Sequence, residues 1–196
     1  MRTKLTLAVM VFLLLVAPSG LKAQDVALKT NLLYDATLTV NAGAEISVAP
    51  RWSVDLSGNF NGWTFNDGRR WKHWLVQPEL RYWLCNTMGG HFFGVHALGG
   101  QYNVGHIHNS IKFLGTNFKG LTDHRYQGWA VGGGIAYGYS WLLGKHWNIE
   151  AEIGFGYAFT RFDVYECADC GRKVQSDRHH NYVGPTKAAI NLVYVF

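Results

Sequence analysis

Charge, cysteine and proline are all scarce in this sequence. Lys, Arg, Asp and Glu together supply 16% of the 196 residues, against about 25% in an ordinary soluble domain. Three Cys are too few for a disulfide-dense scaffold. Four Pro in a charge-poor chain do not fit a disordered polar segment. Beyond the N-terminal segment no apolar run reaches the roughly 18 residues a membrane helix needs, and no stripe of helical period runs along the chain. What the chain holds instead is 23 Gly, 8 Trp, 10 Tyr and 11 Phe, with 48% apolar residues and a mean hydropathy of -0.06. Apolar and polar residues are nearly balanced, so their interleaving decides the fold.

The N-terminus has the three parts of a secretory signal peptide. Arg2 and Lys4 are its basic start, Leu5 to Ala17 its apolar run, and Pro18, Ser19 and Gly20 break that run before Ala23. The expected division is a signal peptide over 1–23 and a β-barrel domain over 24–196. Removing Arg2, Lys4 and Lys22 from a net charge of +5 leaves +2, so an exported, weakly basic chain is a poor candidate for nucleic-acid binding.

The mature chain alternates with period two. Trp129, Val131, Ile135, Tyr137, Tyr139, Trp141 and Leu143 share one face, opposite Ala130, Gly132, Gly134, Ala136, Gly138 and Ser140. Trp147, Ile149, Ile153, Phe155, Tyr157 and Phe159 repeat the pattern against Asn148, Glu150, Glu152, Gly154 and Gly156. Residues 52–64 and 74–84 follow the same rule, with Trp83 on the polar face. Lys29, Glu45, Asp55, Glu79, Arg81, Glu150, Glu152 and Lys187 all fall on the small or polar face of their strands. A soluble sandwich would put its apolar face inside and Lys and Thr outside. An apolar face ended by Trp and Tyr, over a Gly-rich polar face, is the pattern of an eight-stranded antiparallel up-and-down transmembrane β-barrel.

The strands are expected near 26–35, 41–49, 52–65, 73–85, 91–105, 128–143, 147–165 and 182–196, with a bulge near Gly99 and Gly100 where the apolar face changes side. Tight turns at Pro50-Arg51, 86–90 and 144–146 alternate with longer connections at 66–72, 106–127 and 166–181. That asymmetry predicts an outer-membrane topology with both termini in the periplasm. The final strand ends Ile190, Leu192, Tyr194 and Phe196 on one face, the form of signal that barrel-insertion machinery reads. A barrel of eight strands is filled by its own side chains, so the eight lumen charges are expected to pair with one another and not to line a pore.

Candidate chemistry lies in the longer connections. His108 and Ser110 resemble the His-x-Ser pair with which outer-membrane lipid A deacylases activate a serine for ester hydrolysis, but Ile111 follows where Asn belongs and no orienting acid stands at a defined position. A polar rim without catalysis is the expectation. Cys167 and Cys170, with His179 and His180, have spacing compatible with zinc; export makes a local disulfide or free thiols the expected state, with no metal and no cofactor. Cys85 falls on the opposite side of the barrel. Arg69, Arg70 and Lys72 against Asp67 give one connection +2, and Lys112, Lys119 and Arg125 against Asp123 give another +2. Such an excess suits lipopolysaccharide phosphates.

Three runs carry a resemblance: Leu28 to Asp35 (LKTNLLYD), Trp74 to Trp83 (WLVQPELRYW) and Gly94 to Asn103 (GVHALGGQYN). They are similar to a family of Bacteroidota outer-membrane proteins defined by domain of unknown function 3575, and the likeness covers nearly the whole mature chain. It implies an outer-membrane barrel, often encoded near fimbrillin-type surface proteins, with no catalytic residues to transfer. The expected function is structural or interactive, with a fimbrial or surface protein as partner.

Overall fold

A computed structural model of the protein describes residues 26–64, 70–105, 124–166 and 171–196, and the backbone alone of 112–113 and 116–117. The expected signal peptide lies outside these residues. The chain forms β1 (Val26–Asn31), a short helix α1 (Leu32–Ala36), β2 (Val40–Ala49), β3 (Trp52–Asn61), β4 (Arg70–Trp83), β5 (Gly90–Gly105), β6 (Arg125–Leu142), β7 (Trp147–Tyr165) and β8 (Lys173–Val195). Each strand pairs antiparallel with its sequence neighbours, and β1 pairs with β8 from Ala27↔Val195 to Asn31↔Asn191, which closes an eight-stranded barrel. The short β1 reaches only Asn191, so β8 from Lys173 to Ile190 is paired on its β7 side alone.

Period-two alternation places the main large apolar rows outside. Ile135 is 70% exposed, Val95 64% and Phe155 51%, while the alternate residues Ala136, His96 and Glu152 are buried. Aromatic pairs mark both ends of the outer wall, as Trp52 with Tyr82 and Trp147 with Tyr194 at the short-turn end, and Trp129 with Phe159 at the other. Along β6, Trp129 and Tyr139 lie ten residues apart. At about 3.4 Å per residue and a tilt of roughly 40°, that spans about 26 Å, the height of the apolar band of an outer-membrane barrel.

Several boundaries differ from the sequence expectation. Leu32 to Ala36 turn into α1 and do not extend β1, because the Asn31 side chain accepts a hydrogen bond from the Leu33 N–H and caps the turn. The expected loop over 166–181 is largely strand, since Lys173 to Asn181 pair with Phe159 to Tyr165 and carry the β7–β8 hairpin past the barrel rim. No bulge occurs at Gly99 and Gly100, where β5 keeps one register on β6 from Gly90↔Ser140 to Gly105↔Arg125. Its pairing with β4 lapses instead between Val76↔Gly99 and Glu79↔His96, beside Pro78, which has no N–H to give. Register shifts occur elsewhere, at Ser47/Ala49 on β2 and at Lys173/Gln175, Gln175/Arg178 and Pro185/Lys187 on β8; the last shifts the parity so that Gly184 and Lys187 both face the lumen.

Glycine pairs let β6 and β7 sit close to one another. A Cβ on Gly134 would overlap the Phe155 carbonyl oxygen and lie 2.8 Å from the Gly156 Cα. Gly134→Ala is therefore expected to destabilise the barrel by about 1–3 kcal/mol through overpacking, read as a lower urea midpoint for refolding in detergent micelles. Gly58→Ala, which meets nothing within 4 Å, is the control expected to leave the midpoint in place.

Candidate functional site

The lumen holds a single connected network of buried charges, and all eight charges read from the strand parity belong to it. Arg81 on β4, fully buried, stands at its centre. Its Nε donates to Glu79 at 2.7 Å, Nη1 to Glu45 at 2.9 Å and to Glu150 at 3.1 Å, and Nη2 to Glu152 at 2.7 Å. The planar guanidinium fork has the five donors such a cluster requires. Lys29 on β1 pairs with Glu45, with Asp55 at 3.3 Å and with Glu150 at 3.2 Å. Lys187 on β8 contacts Glu79 at 2.6 Å and Glu152 at 3.1 Å. Five strands besides β4 contribute, so the network ties the barrel across its axis.

Neutral groups that the alternation did not single out complete the shell. Asn191 donates to Glu150 at 2.8 Å, and Ser53 donates to Glu45 while accepting from the Trp83 indole at 2.8 Å. Phe92 lies with its ring centroid 4.4 Å from the Arg81 guanidinium carbon. His96 is buried, with Nε2 2.8 Å from the Thr186 hydroxyl and Nδ1 4.0 Å from Glu79. A Cβ on Gly94 would fall 2.7 Å from the Glu79 Cδ, so this glycine makes room for the carboxylate.

Packed side chains close the network at the short-turn end and leave one small cavity toward the other. Toward the short turns, Trp83 packs on Phe92 with centroids 4.7 Å apart, and below them Met88 meets Ala27, Val193 and Val195. Met88 enters the mouth from the turn between β4 and β5 with φ 64°, its carbonyl accepting from Asn148 at 2.8 Å and from Ser140 at 3.2 Å. Toward the longer connections, a cavity of about 20 Å³ touches Lys29, Asp55, Gln77 and Lys187. That is room for roughly one water. Above it, Asn61 donates to Thr39 at 3.1 Å, both fully buried.

The rim residues divide differently. Arg70, Lys72 and Arg125 sit on the outer face near the long-connection end, in rows fixed by the registers Arg70↔Gly105↔Arg125 and Lys72↔Asn103↔Gln127. Arg69, Lys119, His108, Ser110, Cys167 and Cys170 lie outside the described residues, as does the side chain of Lys112. His179 and His180 are neighbours on β8, opposite Arg161 and Thr160, and strand alternation sends them to opposite faces. Among the described residues no group of three or more His, Cys, Asp or Glu side chains is arranged to hold a metal ion. Cys85 is exposed as a free thiol.

A family profile described as "Protein of unknown function (DUF3575)" matches residues 8–196. Comparison with curated proteins and with solved structures gave no match.

Proposed function

The chain belongs to this DUF3575 family of proteins of unknown function, and from that premise we propose that it is a small outer-membrane barrel with a structural or interaction role at the cell surface, without catalysis. One observation carries the reading: a continuous apolar outer wall surrounds a lumen filled by its own ion pairs. Among the described residues no charge lies on the outward face between the aromatic ends, and Leu28, Val54, Leu80, Ile135, Ile153 and Ile190 are all at least 40% exposed. Water would not tolerate so wide an apolar surface on a monomer, whereas lipid requires it. The filled lumen argues against a diffusion pore. What remains for contact is the long-connection end, with its projecting β7–β8 hairpin and basic rows.

Such a barrel offers its rim to lipopolysaccharide and to a fimbrial or surface protein during assembly. Two measurements test the reading. Purified protein in planar bilayers is expected to give no steady conductance, and a stable ohmic channel would contradict the filled lumen. Deleting the gene is expected to leave lipid A acylation unchanged by mass spectrometry while reducing surface display of the partner. Loss of one acyl chain only when the protein is present, abolished by His108→Ala, would replace the interaction role with ester hydrolysis.

A further inference from the structure

We propose that the outer wall of β4, β5 and β6 binds one molecule of a phosphorylated, acylated glycolipid of the lipid A type, with an acyl chain in a groove and the headgroup on the rows above it. The inference rests on the membrane placement proposed above and adds a defined lipid to it.

The groove is built by an absence of side chains on one strand. Outward positions on β5 are Ala97, Gly99 and Gln101, and their neighbours are Trp74, Val76 and Pro78 on β4 and Trp129 and Val131 on β6. Large walls beside a floor of Ala and Gly leave an open, mostly apolar trough of about 490 Å³ running along the barrel wall. The floor lies where pairing lapses beside Pro78. A Cβ added to Gly99 would meet nothing within 4 Å, so glycine there answers no packing need of the fold, and the space above it is available to a ligand. A flexible hydrocarbon chain lying along the strand matches that shape and chemistry.

The chemistry changes step by step toward the long-connection end. Gln101 heads the groove between Trp74 and Trp129, accepting from the Trp74 indole at 3.3 Å, so its NH2 is the part left to donate. The next outward row is Lys72, Asn103 and Gln127, and the row beyond places Arg70 and Arg125 on either side of Gly105. Asp163 stands in this row as the partner of Gln127 and is held by Lys173 at 2.7 Å and by the Asp177 N–H at 2.9 Å, which engages its charge from the β8 side. Apolar groove, indole belt, amides and then cations follow the order of acyl chain, ester region, sugar hydroxyls and phosphate in such a lipid. Three amide side chains suit a hydroxyl-rich headgroup better than a glycerophosphate, and guanidinium groups suit phosphate. Successive outward rows are about 7 Å apart along the strand, so the cations stand at headgroup depth.

Native mass spectrometry of the full chain in detergent micelles, titrated with diphosphorylated lipid A or with phosphatidylglycerol, tests the site. The expected result is retention of one lipid A at concentrations about tenfold below those needed for phosphatidylglycerol. Gly99→Leu, which fills the groove, and Lys72→Gln are each expected to weaken lipid A by about tenfold. Ala188→Leu, on the outer face of β8, is expected to leave binding unchanged. Equal retention of both lipids, or equal effects of Gly99→Leu and Ala188→Leu, would overturn the site. A gel-shift assay of each variant separates the two readings. A folded, membrane-inserted barrel that prefers neither lipid contradicts only this site, and a chain that never enters the membrane contradicts the placement beneath it.

Discussion

Arg81→Met is expected to cost the barrel at least about 3–5 kcal/mol, the range for breaking a buried ion pair from one side. Arg81 is fully buried and hydrogen-bonds four carboxylates. Without it, Glu45, Asp55, Glu79, Glu150 and Glu152 would face only Lys29 and Lys187, five acids against two cations in a wall-enclosed lumen. The side-chain volume is nearly kept, so the loss reports charge and not a cavity. Refolding into micelles followed against urea reads the change as a collapse of the folded band. Arg81→Lys serves as the graded control: it retains one charge, but an ammonium group cannot reach four acceptors on different strands at once. An intermediate loss of about 1.5–3 kcal/mol is expected for it. A midpoint unchanged in Arg81→Met would mean that the acids are not held by this guanidinium, and that the network does not organise the lumen.

Ile135→Arg tests the outer wall with an effect of comparable size and opposite logic. Ile135 is 70% exposed at the middle of β6, so in water an arginine there would be harmless or helpful to solubility. In a bilayer midplane it costs roughly 2–4 kcal/mol. The variant is expected to refold less completely into phospholipid vesicles, with a lower urea midpoint there. Thr30→Arg, near the end of the short strand β1, is expected to cost less, as charge penalties fall toward the interface. Equal stability of Ile135→Arg and the parent protein in vesicles would show that this face does not meet lipid.

The parity of the strands made most of this architecture legible. Because side chains alternate strictly, fixing the face of Trp141 or Ile153 also fixed that of Ser140 or Glu152, and the eight charges fell on one side without any knowledge of pairing. Where both faces of a strand are wet, that signal vanishes. Lys173 to Asn181 extend β8 beyond the apolar band and are all exposed, so their sequence reads as a loop. Leu32 and Leu33 look like strand residues, and only the capping by Asn31 turns them into α1.

The other departures from the sequence pattern have local causes. Leu98, Tyr102 and Val104 suggested a change of face on β5, yet the strand keeps its register and these residues face the upper lumen. His96 falls in the same stretch, and the mixed pattern hid its place beside Glu79. Met88 was invisible because a turn that folds back into the barrel mouth leaves no periodic trace. The lipid groove depends on three strands at once: Gly99 becomes a floor only when Val76 and Val131 are known to flank it.

Membrane residence is the claim on which the rest depends, and heat-modifiability tests it most directly. Cells are fractionated, the outer membrane is extracted in mild detergent, and boiled and unboiled samples are compared by gel migration. The protein is expected in the outer-membrane fraction and to change migration on boiling, as a closed barrel surviving in detergent would. Recovery from the soluble periplasm with no change of migration would contradict it.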